Sequence, residues 1–260
     1  MSLARFPRPT LALIHKRWSG HSRWSKIKHA KGATDAAKGQ VYTRILKDIT
    51  ASVLRDGPDP SKNIRLETIV THAKKENIPK ATIDSAIKRG SGIGTAAGKP
   101  LTCLLYGGIG PAGVALVIEA LTDNRTRAVS VLKSLMKKYR GSISSSALFN
   151  FEHKGRIVLN QDSHSFDKVF EHAIDHGAEN VEQDQDSIHI IVEPPHTTST
   201  AKCLQEKYGY SLNSVELAWI PKSDSRVCLD PDSDDGHTFA ELIRCLQEEP
   251  DIVKVYHNAI

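Results

Sequence analysis

Several features that would point to a familiar class of protein are missing from this chain of 260 residues. It has only four cysteines, no two of which form a CxxC pair: Cys103, Cys203, Cys228 and Cys245. This spacing gives no zinc knuckle and no disulfide framework, and it is typical of a protein from a reducing compartment. No apolar run approaches the roughly 20 residues that a membrane-spanning helix requires, so no membrane span is predicted.

Catalytic and metal-binding patterns are also scarce. His172 and His176 stand four residues apart on a predicted helix, as metal ligands can, but both lie off the apolar stripe and no Glu follows the first histidine. A solvated helix flank is therefore favoured over a metal site. The acidic run from Asp230 to Asp235 can bind a cation or form a solvated loop, and the loop is the safer interpretation. With no Ser/His/Asp or Cys/His set in the local sequence, we predict no enzyme, no metal and no cofactor.

Acidic residues are absent before Asp35, and this absence exposes a division of charge along the chain. Residues 1–19 carry four Lys and Arg and no acid, and residues 20–92 carry fifteen basic against seven acidic residues. Residues 93–260 carry sixteen basic against twenty-three acidic residues. The net charge of +5 therefore conceals a basic N-terminal part, residues 1–92, called the front, and an acidic C-terminal part, residues 93–260, called the rear. A basic front attracts a phosphate backbone, which favours nucleic acid as the partner.

The candidate nucleic-acid-binding residues are basic side chains with interleaved aromatic ones. Those of the first segment, here called the basic segment, are Arg23, Trp24, Lys26, Lys28, His29 and Lys31. The same footprint is predicted to continue through Arg44, Lys47, Lys88 and Arg89, and a second cluster of Asn124, Arg125 and Arg127 starts a helix, where backbone N–H groups favour anions. Basic side chains on a helix can also be merely solvent-exposed, with no nucleic-acid partner. Here the charge is segregated by domain rather than scattered, which favours binding.

The first seventeen residues, MSLARFPRPTLALIHKR, are acid-poor, contain three arginines and are mildly amphipathic. This composition is typical of an organellar transit peptide and predicts the mitochondrial matrix as the destination. The prolines and charged residues interrupt any long apolar stretch, which excludes a secretory signal. The alternative is a disordered tail whose composition arose by chance.

The front half is predicted to contain three helices. Val41, Ile45, Ile49 and Val53 recur every four residues over 34–55, with Thr34 as the N-terminal cap. A second helix is predicted to start at Asp59-Pro60 and a third at Pro79. Residues 91–100, rich in glycine and small side chains, are predicted to be a linker, and GSGIG at 90–94 lacks the flanking strand and helix of a phosphate loop.

The rear half alternates between strand and helix patterns, which predicts an α+β arrangement. Strands are predicted at 101–106, 114–121, 148–151, 156–159, 187–192, 215–220, 227–229 and 252–257, with helices after residue 124, around 166–174, at 200–208 and at 238–247. A turn is predicted at His153-Lys154-Gly155 between two of these strands. The last strands can return to complete the sheet that begins at Leu101.

Three stretches resemble the YebC-like family in order and spacing: GHSRWSKIKHAKGATDAAKG from Gly20, AIKRGSG from Ala86 and YGGIGPAGVALVIEALTDNRTRA from Tyr106. The resemblance runs from about Ser19 to the C-terminus, and it is to the mitochondrial branch, the translational activators of cytochrome c oxidase subunit I. It implies an N-terminal three-helix domain followed by two small α/β sandwich-like domains, the third inserted in the second. One departure is the loop from Tyr106 to Gly113, which lacks an acidic residue and has Ala112 where the family usually has glycine.

The resemblance also implies domain limits and a function. The limits are a mitochondrial presequence over 1–18, a helical basic domain over 19–95, domain II over 98–141 and 221–260, and domain III over 142–220. The implied protein is a monomer that binds the mitochondrial ribosome, through rRNA or mRNA/tRNA. Because bacterial relatives are also described as DNA-binding transcriptional regulators, that function is the alternative.

Overall fold

The structure, a computed structural model, describes residues 23–92, 100–160, 165–184 and 187–260, with side chains from residue 38 onward. The predicted presequence and most of the predicted linker lie outside the described residues. The chain divides into two compact units, Met1–Gly39 and Gln40–Ile260. Its architecture is mixed α/β, with a helical region followed by two four-stranded sheets, which confirms the predicted fold class.

The helical region consists of α1 (Arg23–Asp56), α2 (Ile64–Lys75) and α3 (Lys80–Gly90). The predicted apolar stripe of α1 is buried from Ile45 onward, where Ile45, Ile49 and Val53 pack with Leu66 of α2 and Ile83 of α3. Gly90 ends α3 directly against α1, where a Cβ atom would come within 2.7 Å of the Thr50 carbonyl oxygen. These contacts hold the second half of α1 and the two shorter helices together.

Two predicted helix starts differ from the structure. Thr34 does not cap α1, because the helix already begins at Arg23; the residues between contain no proline and several good helix formers, so nothing interrupts it. Helix α2 begins after Asn63 rather than after Asp59. The buried Asn63 side chain accepts a hydrogen bond from Leu66 N at 3.0 Å and donates to the Gly57 and Ser52 carbonyls, so it joins the end of α1 to the start of α2.

The first sheet has the strand order β3-β1-β2-β8. Its elements are β1 (Thr102–Ile109), β2 (Ala115–Thr122), α4 (Arg125–Lys138), β3 (Ser142–Ile143), α7 (Asp234–Glu248) and β8 (Ile252–His257). Strand β2 is buried on both faces: Leu116 and Ile118 face a core with α4 and α7, and Ala115 and Val117 face a second cluster that contains Phe151. The last strand returns to this sheet, as predicted from the sequence, and it pairs with β2.

The second sheet has the order β5-β6-β4-β7 and is wholly antiparallel. Its elements are β4 (Phe151–Asn160), α5 (Phe166–Asp175), β5 (Ala178–Asp184), β6 (Ser187–Val192), α6 (Thr197–Glu206) and β7 (Leu212–Pro221). Helices α5 and α6 cover one face through Val169, Ala173 and Leu204, and Ile64 of α2 joins the same core. All of this sheet lies in sequence between β3 and β8 of the first sheet, which is the topology of an insertion.

The predicted turn at His153-Lys154-Gly155 is wrong, because β4 runs straight through it. Gly155 pairs with Leu217 on one side and Val192 on the other. A Cβ atom at this position would overlap the Thr197 side chain, so glycine serves close packing here rather than chain reversal. The predicted strands at 148–151 and 227–229 are also replaced, the first by a short 3-10 turn and the second by a single bridge from Val227 to Ala259.

The loop between β1 and β2 holds Ala112 in a left-handed conformation, with φ at 53°. This is the position where the resembling family usually has glycine, which adopts that conformation without strain. We expect Ala112→Gly to raise the free energy of unfolding by about 0.5–1 kcal/mol, since the relieved strain exceeds the added chain entropy.

Urea unfolding of the full chain measures this effect. Ala81→Gly is the matched control, because Ala81 is exposed within α3 and its loss should lower stability by about 1 kcal/mol. Equal destabilisation by both substitutions would contradict the strain assigned to Ala112.

Candidate nucleic-acid interface

The basic segment forms the first turns of α1, which begins at Arg23. Helical spacing places positions 24, 28 and 31 on one side of the helix and positions 23 and 26 toward the opposite side. The first turn contains no acidic residue. The predicted residues thus follow one another along a regular helix, which starts well before the predicted cap at Thr34. The side chains of this segment lie outside the described residues.

Three of the other predicted residues present free charge. Arg44 on α1 and Lys88 and Arg89 at the end of α3 are exposed. None of the three forms an ion pair with another residue of the described part of the chain. The last turn of a helix favours cations, which explains locally why Lys88 and Arg89 are tolerated side by side. These three side chains are available to an anionic partner.

Lys47 has a different role from the one predicted. Its Nζ donates to the Glu249 carbonyl oxygen at 2.6 Å and to the Ile252 carbonyl oxygen at 2.9 Å. Burial lowers the pKa of this lysine, and the nearby Asp251 and Glu249 carboxylates partly oppose that shift. Lys47 therefore joins α1 to the turn between α7 and β8, and two of its three N–H donors are used in doing so.

The second predicted cluster is likewise mostly engaged within the protein. Asn124 is the N-cap of α4 and accepts a hydrogen bond from Arg127 N at 3.1 Å. The Arg127 guanidinium bonds Asp251 at 3.0 Å and Asp123 at 2.8 Å, and these carboxylates raise its pKa. Arg125 is exposed. Of the two arginines in this cluster, only Arg125 is without an ion pair among the described residues.

A cluster of charged side chains joins the helical region to both sheets. We call it the junction cluster: Asp48 of α1, Arg156 of β4, Glu216 of β7 and Lys254 of β8. Glu216 accepts hydrogen bonds from Arg156 and from Lys254, and both cations lower its pKa against the opposing effect of burial. A cavity of about 150 Å³ adjoins the cluster, and Asp48 and Arg65 are among its lining residues.

Asp48 is the least satisfied member of the junction cluster. Its Oδ1 atom is buried and has no hydrogen-bond partner. Burial raises the pKa of this carboxyl, although Lys254 acts in the opposite direction. The carboxylate form is therefore destabilising in the folded state.

We expect Asp48→Asn to raise the free energy of unfolding at pH 7. Because the folded-state pKa of Asp48 lies above its unfolded value, the destabilisation is absent below the unfolded pKa, near 3.9, and grows as pH rises through the folded value. The increase in the free energy of unfolding caused by Asp48→Asn should therefore become smaller as the pH is lowered toward 4. Urea unfolding across this pH range measures it, and a gain that is equal at both ends would contradict the assignment.

Beside the junction cluster lies a groove of about 200 Å³, lined by residues of α1 and of both sheets. Its aromatic wall is Trp219 of β7 next to His153 of β4, with ring centroids 4.8 Å apart. Arg55 and Cys103 lie at the groove and are exposed, and Glu119 contributes a carboxyl group. The sequence analysis missed His153, Trp219 and Glu119, because only the pairing of β4 with β7 places His153 opposite Trp219.

The histidine pair on α5 does not form a metal site in the described part of the chain. His172 Nδ1 lies 2.7 Å from Tyr210 Oη, and His172 stacks on Tyr208 at 3.8 Å. His176 Nε2 lies 3.2 Å from Tyr208 Oη. Among the described residues no group of three or more His, Cys, Asp or Glu side chains can hold a metal ion. The two histidines thus pack against tyrosines, rather than forming the solvated flank that the sequence favoured.

Within the described residues no helix has the length and apolarity needed to cross a membrane. Two family models match the chain. Residues 22–93 match the model described as the TACO1/YebC protein N-terminal domain, and residues 101–259 match the one described as the TACO1/YebC second and third domain.

Similar proteins of known sequence are named as regulators. A "probable transcriptional regulatory protein" of Methylacidiphilum infernorum is 38% identical over 245 residues, covering 92% of this chain and 95% of the relative. One of the same name from Geobacter sulfurreducens is 36% identical over 242 residues, with 92% and 95% covered. The crystal structure of a conserved hypothetical protein from Aquifex aeolicus, 30% identical, superposes with a TM-score of 0.72 over 87% of this chain and 91% of that chain.

Proposed function

This chain belongs to the TACO1/YebC family, and on that premise we propose that it is a mitochondrial translation factor that binds RNA on the ribosome. In this proposal it supports the synthesis of mitochondrially encoded proteins such as cytochrome c oxidase subunit I. Its relatives are named as regulatory proteins rather than as enzymes, which agrees with a binding function.

The observation that supports RNA binding most directly is the separation of charge. Residues 20–92 carry fifteen basic and seven acidic residues, whereas the rest of the chain after them is acidic. Attraction to a phosphate backbone is long-ranged and grows with the number of neutralised phosphates, so a concentrated basic front binds nucleic acid far better than scattered charge.

Within the basic segment we assign Arg23, Lys26, Lys28 and Lys31 to phosphates, and Trp24 and His29 to stacking on unpaired bases. Interleaved cations and aromatic rings are the usual means of binding single strands, where bases are accessible. Arg44, Lys88, Arg89 and Arg125 extend the footprint, since they are exposed and free of ion pairs among the described residues. Lys47, Asn124 and Arg127 support the fold that presents these residues.

The mitochondrial destination rests on the composition of residues 1–18, which carry four basic residues and no acid. Fusion of these residues to a fluorescent reporter tests it. Import of the reporter into mitochondria supports the assignment, and a cytosolic reporter would refute it.

The second candidate function is that of a DNA-binding transcriptional regulator, and the names of the relatives favour it. Sequence-specific binding of this kind requires an element that enters a groove of the duplex and reads base edges. A competition assay separates the two functions. Labelled single-stranded RNA bound to the full chain is displaced either by unlabelled RNA or by duplex DNA of matched length. More effective displacement by RNA is expected, and preferential displacement by a defined duplex would support transcription instead.

A further inference from the structure

The groove beside the junction cluster has the shape and surface of a site for one flat ring. Besides Trp219 and His153, its lining includes Leu104, Leu105 and Val253. Leu105 of β1 is 37% exposed, although all residues of the neighbouring strand β2 except Glu119 are buried. Cavities of roughly 150 Å³ hold a benzene ring, so a groove of about 200 Å³ has room for a single base.

An exposed cation lies at the same groove. Arg55 is exposed and makes no ion pair or side-chain hydrogen bond with another described residue. Arg55 lines the groove together with His153, Glu119 and Cys103, and its charge acts to lower the pKa of all three groups. A guanidinium that is not paired within the protein can form two parallel hydrogen bonds with a phosphate group.

The remaining polar groups of the groove suit a base. Burial, with Arg55 and Arg65 nearby, lowers the pKa of His153, so that its imidazole is neutral at pH 7 and can both stack and hydrogen-bond. Burial raises the pKa of Glu119, while the charges of Arg55 and Lys254 act against that shift. The Glu119 carboxyl group lines the groove together with Trp219, so it offers an acceptor for the exocyclic amino group of a base stacked on that ring.

We propose that this groove holds one unpaired nucleotide of the bound RNA, with its base against Trp219 and His153 and its phosphate on Arg55. The proposal rests on the RNA-binding function proposed above and adds a defined site to it. An apolar peptide is the other conceivable occupant, but it would leave the Arg55 charge without a partner and would cover the Glu119 carboxyl group with apolar surface. A nucleotide offers its phosphate to the Arg55 charge and an amino group to the Glu119 carboxyl group.

Cys103 provides the test, because it is an exposed thiol that lines the groove, and Cys228 is an exposed thiol that does not. The full chain is treated with iodoacetamide with and without a short single-stranded RNA of mixed sequence. Mass spectrometry gives the alkylation rate at each cysteine, and fluorescence anisotropy gives the fraction of protein bound. At nine-tenths occupancy the rate at Cys103 should fall about tenfold, because only the free tenth reacts, and the rate at Cys228 should stay unchanged.

Two arginine variants sharpen the result. Arg55→Gln should abolish the protection of Cys103 while lowering the overall RNA affinity only a few-fold, because the basic segment still binds phosphates. Arg226→Gln is the control, since Arg226 is an exposed arginine outside the groove and its loss should preserve the protection.

The outcomes test the groove assignment separately from the proposed RNA-binding function. RNA that binds by anisotropy but leaves the rate at Cys103 unchanged would overturn the groove assignment and leave RNA binding intact. Equal protection of both cysteines, or protection of Cys103 by an apolar peptide and not by RNA, would also overturn it. Failure of RNA to bind at all would instead refute the proposed function.

Discussion

Reversing Lys26, Lys28 and Lys31 together to glutamate is expected to weaken binding of single-stranded RNA about 100-fold at ~0.1 M salt. Each phosphate contact on a single strand contributes about 0.7 to the slope of log affinity against log salt, so three lost contacts should reduce the slope by about 2. A slope change of about 2 over one decade of salt concentration corresponds to the expected loss of affinity of about 100-fold. Anisotropy titrations at several salt concentrations give both quantities.

The matched control is the same reversal at Lys168, Lys202 and Lys222, which changes the net charge equally but lies in the acidic rear of the chain. None of these lysines forms an ion pair among the described residues. Affinity should then fall much less, with the salt slope retained. Equal losses in both triple variants would show that net charge alone, rather than the basic segment, governs binding.

Replacing Lys254 with methionine is expected to lower the free energy of unfolding by about 3 kcal/mol, at the lower end of the range for removing one member of a buried ion pair. Lys254 and Glu216 are mostly buried, with side chains 23% and 19% exposed, and Lys254 also offsets the charge of Asp48. Without the lysine, Arg156 is the one hydrogen-bonding partner left to Glu216 among the described residues, and Asp48 loses its main opposing charge.

Arg244→Met provides the comparison. Arg244 pairs with Glu241 and Glu248 at 2.7 and 2.9 Å, but all three side chains are about half exposed. An exposed pair of this kind contributes between about 0 and 1 kcal/mol. Urea unfolding of both variants measures the contrast, and similar small losses in the two would mean that the junction cluster does not hold the helical region to the sheets.

Patterns within one element allowed the helices and most strands to be predicted. The four-residue repeat of Ile45, Ile49 and Val53 matched the buried stripe of α1, and the return of the last strand to the first sheet was correctly expected. The turn predicted at Gly155 was wrong, because glycine is compatible both with a turn and with the close approach of another side chain. Only the packing of Thr197 against Gly155 distinguishes the two cases.

The site was harder to predict, since charge in a sequence does not indicate which partner neutralises it. Lys47 and Arg127 are basic side chains of the kind that bind RNA. Both instead donate hydrogen bonds to the turn between α7 and β8, which lies more than 120 residues further along the chain than either of them. The aromatic wall of the groove was missed for the same reason, because His153 and Trp219 become neighbours only through strand pairing.

The central claim, that this protein acts on the mitochondrial ribosome through its basic segment, is tested most directly by sedimentation. A mitochondrial lysate is run through a density gradient, and the native chain is compared with the variant in which Lys26, Lys28 and Lys31 are reversed. Our account predicts that the native chain migrates with ribosomes and that the variant stays at the top. If both stay at the top while the native chain is found on mitochondrial DNA, the account is contradicted and the protein acts in transcription.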